Sequence, residues 1–228
     1  MTKTALSPRT ATCPRRRRFL RALTALALLP PLAGVAGVAP RRASAQESAL
    51  FDEEDLLQHT RGDAAAPNTL IEYASLTCPH CATFHGEVYP RLEREWIDSG
   101  RLRFIYRHFP LDGVAVRAAL LAECLPADDA FFAFIDILYR SQSDWARAED
   151  PVAALVGRAA LAGMDEETAR ACMEDEHLIE RMGAEYSRAA RELEVRGTPA
   201  LFFNRERIRL GGDPDDFFVR LAELAADA

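Results

Sequence analysis

Cys78 and Cys81, two residues apart in Cys78-Pro79-His80-Cys81, are the densest concentration of reactive groups in the chain. That spacing lets the two sulfurs close a small ring, and a thiolate from such a pair can exchange with another disulfide. Other chemistries fit less well. Attachment of a c-type haem needs His directly after the second Cys, and Ala82 stands there. A zinc ion would need two further ligands, and although His85 lies one turn on, no second close pair accompanies it. A purely structural disulfide across so short a loop would restrain little of the unfolded chain. Reversible redox exchange is the favoured reading, with no metal and no cofactor beyond the disulfide itself.

The flanking residues indicate how the pair is held. Residues 68–76 are apolar and β-favouring (Leu70, Ile71, Tyr73), a buried strand that runs straight into the cysteines. Pro79 marks a helix start, and Phe84, Val88, Leu92 and Trp96 continue an apolar face to Ser99-Gly100, with a kink expected at Pro90. Cys78 is thereby placed where unpaired helix N–H groups and the helix dipole favour a negative sulfur, which makes it the nucleophile. Cys81, one turn inside, becomes the buried resolving thiol. His80 can add a hydrogen bond or a positive charge to the thiolate, which would make the disulfide more oxidising. His85 reads as a surface helix residue, and Gln142 and Trp145 as packing.

Further along, residues 102–109 read as a second strand and 114–193 as a helical block punctuated by Gly163 and Met164-Asp165. Gly197-Thr198-Pro199 opens a strand at 200–203, residues 208–210 complete a hairpin, and Asp213-Pro214 starts a closing helix. Residues 46–67 form a polar lead-in with one short edge strand near His59. The tripeptide Arg61-Gly62-Asp63 within it reads as a turn.

Charge separates the amino terminus from the rest. Nine of the 28 basic residues and none of the 35 acidic ones lie in 1–45, so residues 46–228 carry a net charge of −16. An acidic body repels phosphate backbones, which excludes nucleic acid as a partner. Residues 1–45 have the parts of an export signal: Arg15–Arg18, an apolar stretch over 20–38, and Ala43-Ser44-Ala45 as a cleavage site. Arg16 and Arg17, followed by Arg18-Phe19-Leu20, are similar to a twin-arginine signal. An uncleaved membrane anchor is the alternative, but the apolar stretch is short and broken by Pro30, Pro31, Gly34 and Gly37. With 49% apolar residues, the remaining chain can bury a core without metals or many disulfides.

A strand, Cys-Pro-His-Cys at a helix start, a helical insertion, and Gly-Thr-Pro before a hairpin together resemble the DsbA-like thiol:disulfide oxidoreductases from residue 68 onward. The resemblance implies an α/β thioredoxin fold with a helical insertion between the second strand and the cis-proline hairpin. The domains it implies are 68–113 with 194–228, and the insertion 114–193. It matches Pro199 to the cis-proline facing the cysteines, with the Thr198 backbone free to pair with an extended substrate. It matches Glu72 to the buried acid that moves protons for the resolving cysteine. It also implies a structural disulfide between Cys124 and Cys172, with two free buried thiols as the alternative.

The activity implied is a monomeric periplasmic disulfide oxidase. Its substrates would be unfolded or partly folded exported proteins with cysteines, and a membrane thiol oxidase would recharge it. A disulfide isomerase or reductase, served by a membrane reductase, is the first alternative, because such relatives also carry Thr before the proline. A non-enzymatic chaperone or metal-handling module is the second. Replacing Arg16 and Arg17 together with Lys is expected to leave the precursor in the cytoplasm on cell fractionation. Unchanged export of that double variant would refute the twin-arginine route.

Overall fold

Alternation of side chains along one strand determines what faces what in this fold. The computed structural model describes residues 49–226; Cys13, Arg16, Arg17 and the Ala43-Ser44-Ala45 site lie outside the described residues. Strand β2 (Asn68–Ala74) is central in a five-stranded sheet of order β1-β3-β2-β4-β5. It pairs in parallel with β3 (Leu102–His108) and antiparallel with β4 (Ala200–Phe203). The edges are β1 (Gln58–Arg61), antiparallel to β3, and β5 (Glu206–Ile208), antiparallel to β4. Because successive side chains point to opposite faces, Leu70, Glu72 and Ala74 share one side of β2, and Ile71 and Tyr73 the other. The packing follows that split: Leu70 and Ala74 belong to the larger core, Ile71 and Tyr73 to a smaller one with Ile105, Phe202 and Leu193.

A helical run over 79–97, α1, covers the larger core face and makes the parallel crossover from β2 to β3. Pro90 does not break it. The turn before the proline widens to a π-type turn over Phe84–Val88, in which the Tyr89 N–H donates to the Phe84 carbonyl. A second such turn spans Glu93–Ile97.

The helical block resolves into α2 (Gly113–Glu123), α3 (Asp128–Arg140), α4 (Gln142–Ala146), α5 (Pro151–Leu161), α6 (Glu166–Met173) and α7 (Glu176–Glu192). Four of these six begin at an aspartate whose side chain accepts main-chain N–H groups: Asp112, Asp150, Asp165 and Asp175. Apolar residues of α2 to α6 enter the same cluster as the sheet and α1, while α7 contributes to both cores, Met182 to the larger and Ala189 to the smaller. Trp145 is fully buried, its indole N–H donating to the Leu138 carbonyl at 2.8 Å. The closing helix α8 (Pro214–Ala226) starts where expected, the Asp215 N–H donating to the Asp213 carboxylate at 2.9 Å.

Two details fix the edge strand. Gly62 has φ +99°, and a Cβ there would come within 2.6 Å of the Leu102 carbonyl, so the turn after β1 needs glycine. On β1, His59 meets Asp128 at 2.8 Å and Glu123 at 3.3 Å, and Glu123 also meets His108 of β3 at 3.1 Å. Burial pushes the Glu123 carboxyl up, but His108 and His59 outweigh it and hold it at about 2. Next to Glu123, Cys124 is joined to Cys172 of α6 by a disulfide with Cα atoms 6.2 Å apart.

The cysteines of that bridge are 48 residues apart in sequence, and in the chain-entropy account such a closure contributes at most roughly 4 kcal/mol. Replacing Cys124 and Cys172 together with Ala is expected to lower the denaturation midpoint while thiol oxidation by Cys78–Cys81 persists. Unfolding curves that coincide with the parent's would contradict this.

Candidate active site

Between β2 and α1 the chain turns within four residues, 75–78, and that turn is held from several sides. The Cys78 N–H donates to the Ser75 carbonyl at 3.1 Å. The Thr77 hydroxyl donates to Asp112, the residue that caps α2, at 2.7 Å. The side-chain amide of Gln142 on α4 donates to the carbonyls of Leu76 at 2.8 Å and Cys78 at 3.0 Å. Gln142 is therefore a hydrogen-bonding brace for the cysteine turn, which corrects the expectation that it only packs.

Cys78 is the N-cap residue of α1, with Pro79 in the first helical turn. The pair is present as two free thiols. Cys78 is held down to about 5, first by a hydrogen bond with the Cys81 thiol. Burial opposes the shift, and the Thr198 hydroxyl and the main-chain N–H groups of Cys81 and His80 reinforce it. Thr198 Oγ1 is buried and has no hydrogen-bond partner in the structure, which leaves it free to favour the thiolate. When protonated, the Cys78 thiol donates to the Thr198 carbonyl at 3.2 Å. The imidazole of His80 is exposed and makes no hydrogen bond to the sulfur, so residue 80 contributes through its backbone.

Cys81, at 0% exposure, is raised well above an ordinary thiol by burial, then by its hydrogen bond to Cys78, then by the charge of Glu72. The two sulfurs thus differ sharply although one helical turn holds both. Glu72, also at 0% exposure, projects from β2 into the core beside the pair. One of its oxygens meets His85 Nε2 at 2.8 Å, and the other is buried without a partner.

His85 is not on the surface, as its sequence suggested, but 7% exposed in the core, stacked on Tyr139 at 4.4 Å and Tyr89 at 5.1 Å. A signal for this was available. Cys81, His85, Tyr89 and Leu92 follow the spacing of one helix face, and Cys81 and Leu92 are core residues.

The Thr198–Pro199 peptide bond is cis. His80, Thr198, Pro199, Ala200, Ile208 and Leu210 line part of an open cavity of about 750 Å³ beside Cys78. The structure thus brings Cys78, Pro79, His80, Cys81, Glu72, Thr198 and Pro199 to one place, while Cys124 and Cys172 join helices of the insertion. Among the described residues, no group of three or more His, Cys, Asp or Glu is arranged to hold a metal ion.

A thiol pair at a helix start, faced by a cis-proline on a sheet of this order and followed by a helical insertion, defines the insertion-bearing class of thioredoxin folds. A family profile described as Thioredoxin matches residues 54–218, and the chain belongs to that family, in its DsbA-like form. The crystal structure of Wolbachia pipientis alpha-DsbA1 is similar, with 27% identity and a TM-score of 0.73 over 80% of this chain and 96% of that one. So is that of the protein-disulfide isomerase from Novosphingobium aromaticivorans, with 26% identity and a TM-score of 0.63 over 72% and 97%. A Rickettsia bellii protein named "Putative protein-disulfide oxidoreductase" is 28% identical over 154 residues, which are 68% of this chain and 58% of that protein. The chain therefore spans little more than half the length of that relative.

Ultraviolet thiolate titration of the reduced protein is expected to show Cys78 half-ionised near pH 5. Because the folded value is depressed, the stability it confers on the reduced form grows as pH rises from about 5 toward the ordinary value of 9, and is lost as pH falls back through 5. Thr198→Val should move the titration upward. A midpoint near that of a free thiol in the parent would contradict the geometry.

Proposed function

We propose that the chain is an exported thiol–disulfide oxidase that introduces disulfides into newly exported proteins. The observation that carries this reading is the asymmetry of the pair: Cys78 held at about 5 while Cys81 is pushed well above an ordinary thiol. A thiolate stabilised in the reduced form makes the corresponding disulfide a stronger oxidant.

The reaction starts from the Cys78–Cys81 disulfide. A substrate thiolate, aligned in the groove by the Thr198 backbone and Pro199, attacks the Cys78 sulfur. The Cys78–Cys81 bond breaks, and Cys81 leaves with the electron pair and takes a proton, for which Glu72 is the nearby donor. A second substrate thiolate then attacks the substrate sulfur of the mixed disulfide. The substrate is oxidised by two electrons, and Cys78 leaves as a stabilised thiolate. A membrane thiol oxidase of the same compartment would accept the two electrons and restore the disulfide.

In this reading residues 1–45 are the cleaved export signal and 46–67 a lead-in. Residues 68–113 and 194–228 form the redox domain, 114–193 its insertion, and the protein works as a periplasmic monomer. Isomerase or reductase action is the second reading, favoured by Thr198 before the proline and by the likeness to the Novosphingobium isomerase. Trapping the protein with acid and a thiol alkylator separates the two: a mainly oxidised pair in growing cells is expected, and a mainly reduced pair would favour the isomerase or reductase. Cys81→Ser should accumulate mixed disulfides with substrates, whereas Cys78→Ser should abolish thiol oxidation.

A further inference from the structure

Any step that breaks or remakes the Cys78–Cys81 bond moves a proton to or from Cys81, which has no exposure to solvent. Glu72 is equally enclosed, so a proton taken up or given by its carboxyl must come from somewhere else. Its unpartnered oxygen is buried, and its charge acts on Cys81. Its other oxygen is engaged by His85 Nε2 at 2.8 Å.

The imidazole is wedged between the Tyr139 and Tyr89 rings with the Tyr106 ring edge-on at 5.9 Å, so it is held in one orientation. His85 also lines a second cavity, of about 250 Å³, whose wall includes the charged side chains of Arg61, Glu93, Asp136 and Arg140. No residue of this cavity also lines the groove beside Cys78.

We propose that His85 is the proton relay of this site, connecting Glu72 to water through the second cavity, which His85 itself lines. The chemistry requires a group that can take a proton on one nitrogen while releasing one from the other, which imidazole does. When Cys81 leaves, Glu72 passes a proton to its sulfur, His85 Nε2 passes one to Glu72, and Nδ1 takes one from water in the cavity. No electrons move through His85, and reoxidation runs the sequence backwards.

The other titratable groups facing the imidazole do not provide this path. Tyr106 and Tyr139, from β3 and α3, hydrogen-bond each other at 2.9 Å, and burial raises both well above an ordinary phenol. Tyr89, on α1 itself, is raised well above an ordinary phenol by burial. At the cavity wall Arg61 pairs with Glu93, and Arg140 with Asp136. A separate outlet means that a substrate bound over Cys78 does not block the proton.

This inference rests on the reading of Cys81 as the leaving and resolving thiol. The test is the single-turnover rate at which the oxidised protein oxidises a dithiol peptide, measured against pH for the parent, His85→Gln and His85→Ala. Gln can still hydrogen-bond to Glu72 but cannot relay a proton, so the rate is expected to fall by about a hundredfold, the low end for a group that transfers protons. Ala opens space beside the cavity, and added imidazole should then restore the rate in proportion to its concentration.

Parent-like rates in His85→Gln across the pH range would overturn the proposal. So would a slowed His85→Ala that imidazole leaves slow, which would assign His85 to packing alone. Retention of thiol oxidation by Cys78→Ser would instead defeat the proposed function, so the two failures are told apart.

Discussion

The hydrogen bond between the Cys81 thiol and the Cys78 sulfur requires the two cysteines to differ, although only two residues separate them. One sulfur must be negative at an open helix end and the other protonated in the core. Chain geometry meets this demand with little machinery. Pro79 starts the helix directly after Cys78, so the free N–H groups of the first turn lie under that sulfur. A single turn later the helix has entered the core, and Cys81 is enclosed. The rest of the site serves that difference. Thr198 and the main-chain N–H groups favour charge on the outer sulfur, while Glu72 and the apolar surroundings disfavour it on the inner one.

A buried carboxylate beside a buried thiol is a demanding arrangement, since an ionised group in the core needs compensation. Here it follows from strand periodicity. If Leu70 and Ala74 face the larger core, Glu72 between them must do so too. The protein answers with one imidazole rather than an arginine, which leaves the second oxygen of Glu72 without a partner and near the thiol. The cluster of His59, Glu123 and His108 solves a similar problem differently, two imidazoles flanking one carboxylate to fasten the edge strand to the sheet and the insertion.

Much of this was legible in the sequence because the informative features are local. The run from 68 into Cys78-Pro79-His80-Cys81, the Gly-Thr-Pro before the hairpin and the Asp-Pro helix start each carry their own geometry. Cys81 was legible as a residue one turn inside the helix, and Glu72 only through the resemblance to the DsbA-like family. What escaped was decided by partners distant in sequence. His85 looks like any polar helix residue until Glu72, 13 residues earlier, faces it across the core. Gln142 becomes a brace only because α4 folds back on a turn 64 residues away. Nor does anything local announce the widened turn over 84–88 that precedes Pro90.

The sheet order also sets a sequence of events as the chain is synthesised from its amino end. Strands β2 and β3 and the helix between them are complete by residue 108, with both reactive thiols already in place. The strand that borders β2 on its other side, and the Thr198–Pro199 segment that faces Cys78, follow only about ninety residues later. Until then β2 has an unpaired edge and Cys78 has no groove beside it. During that interval the two thiols sit in a growing chain without the segment that faces them, and only the arrival of β4 completes the site.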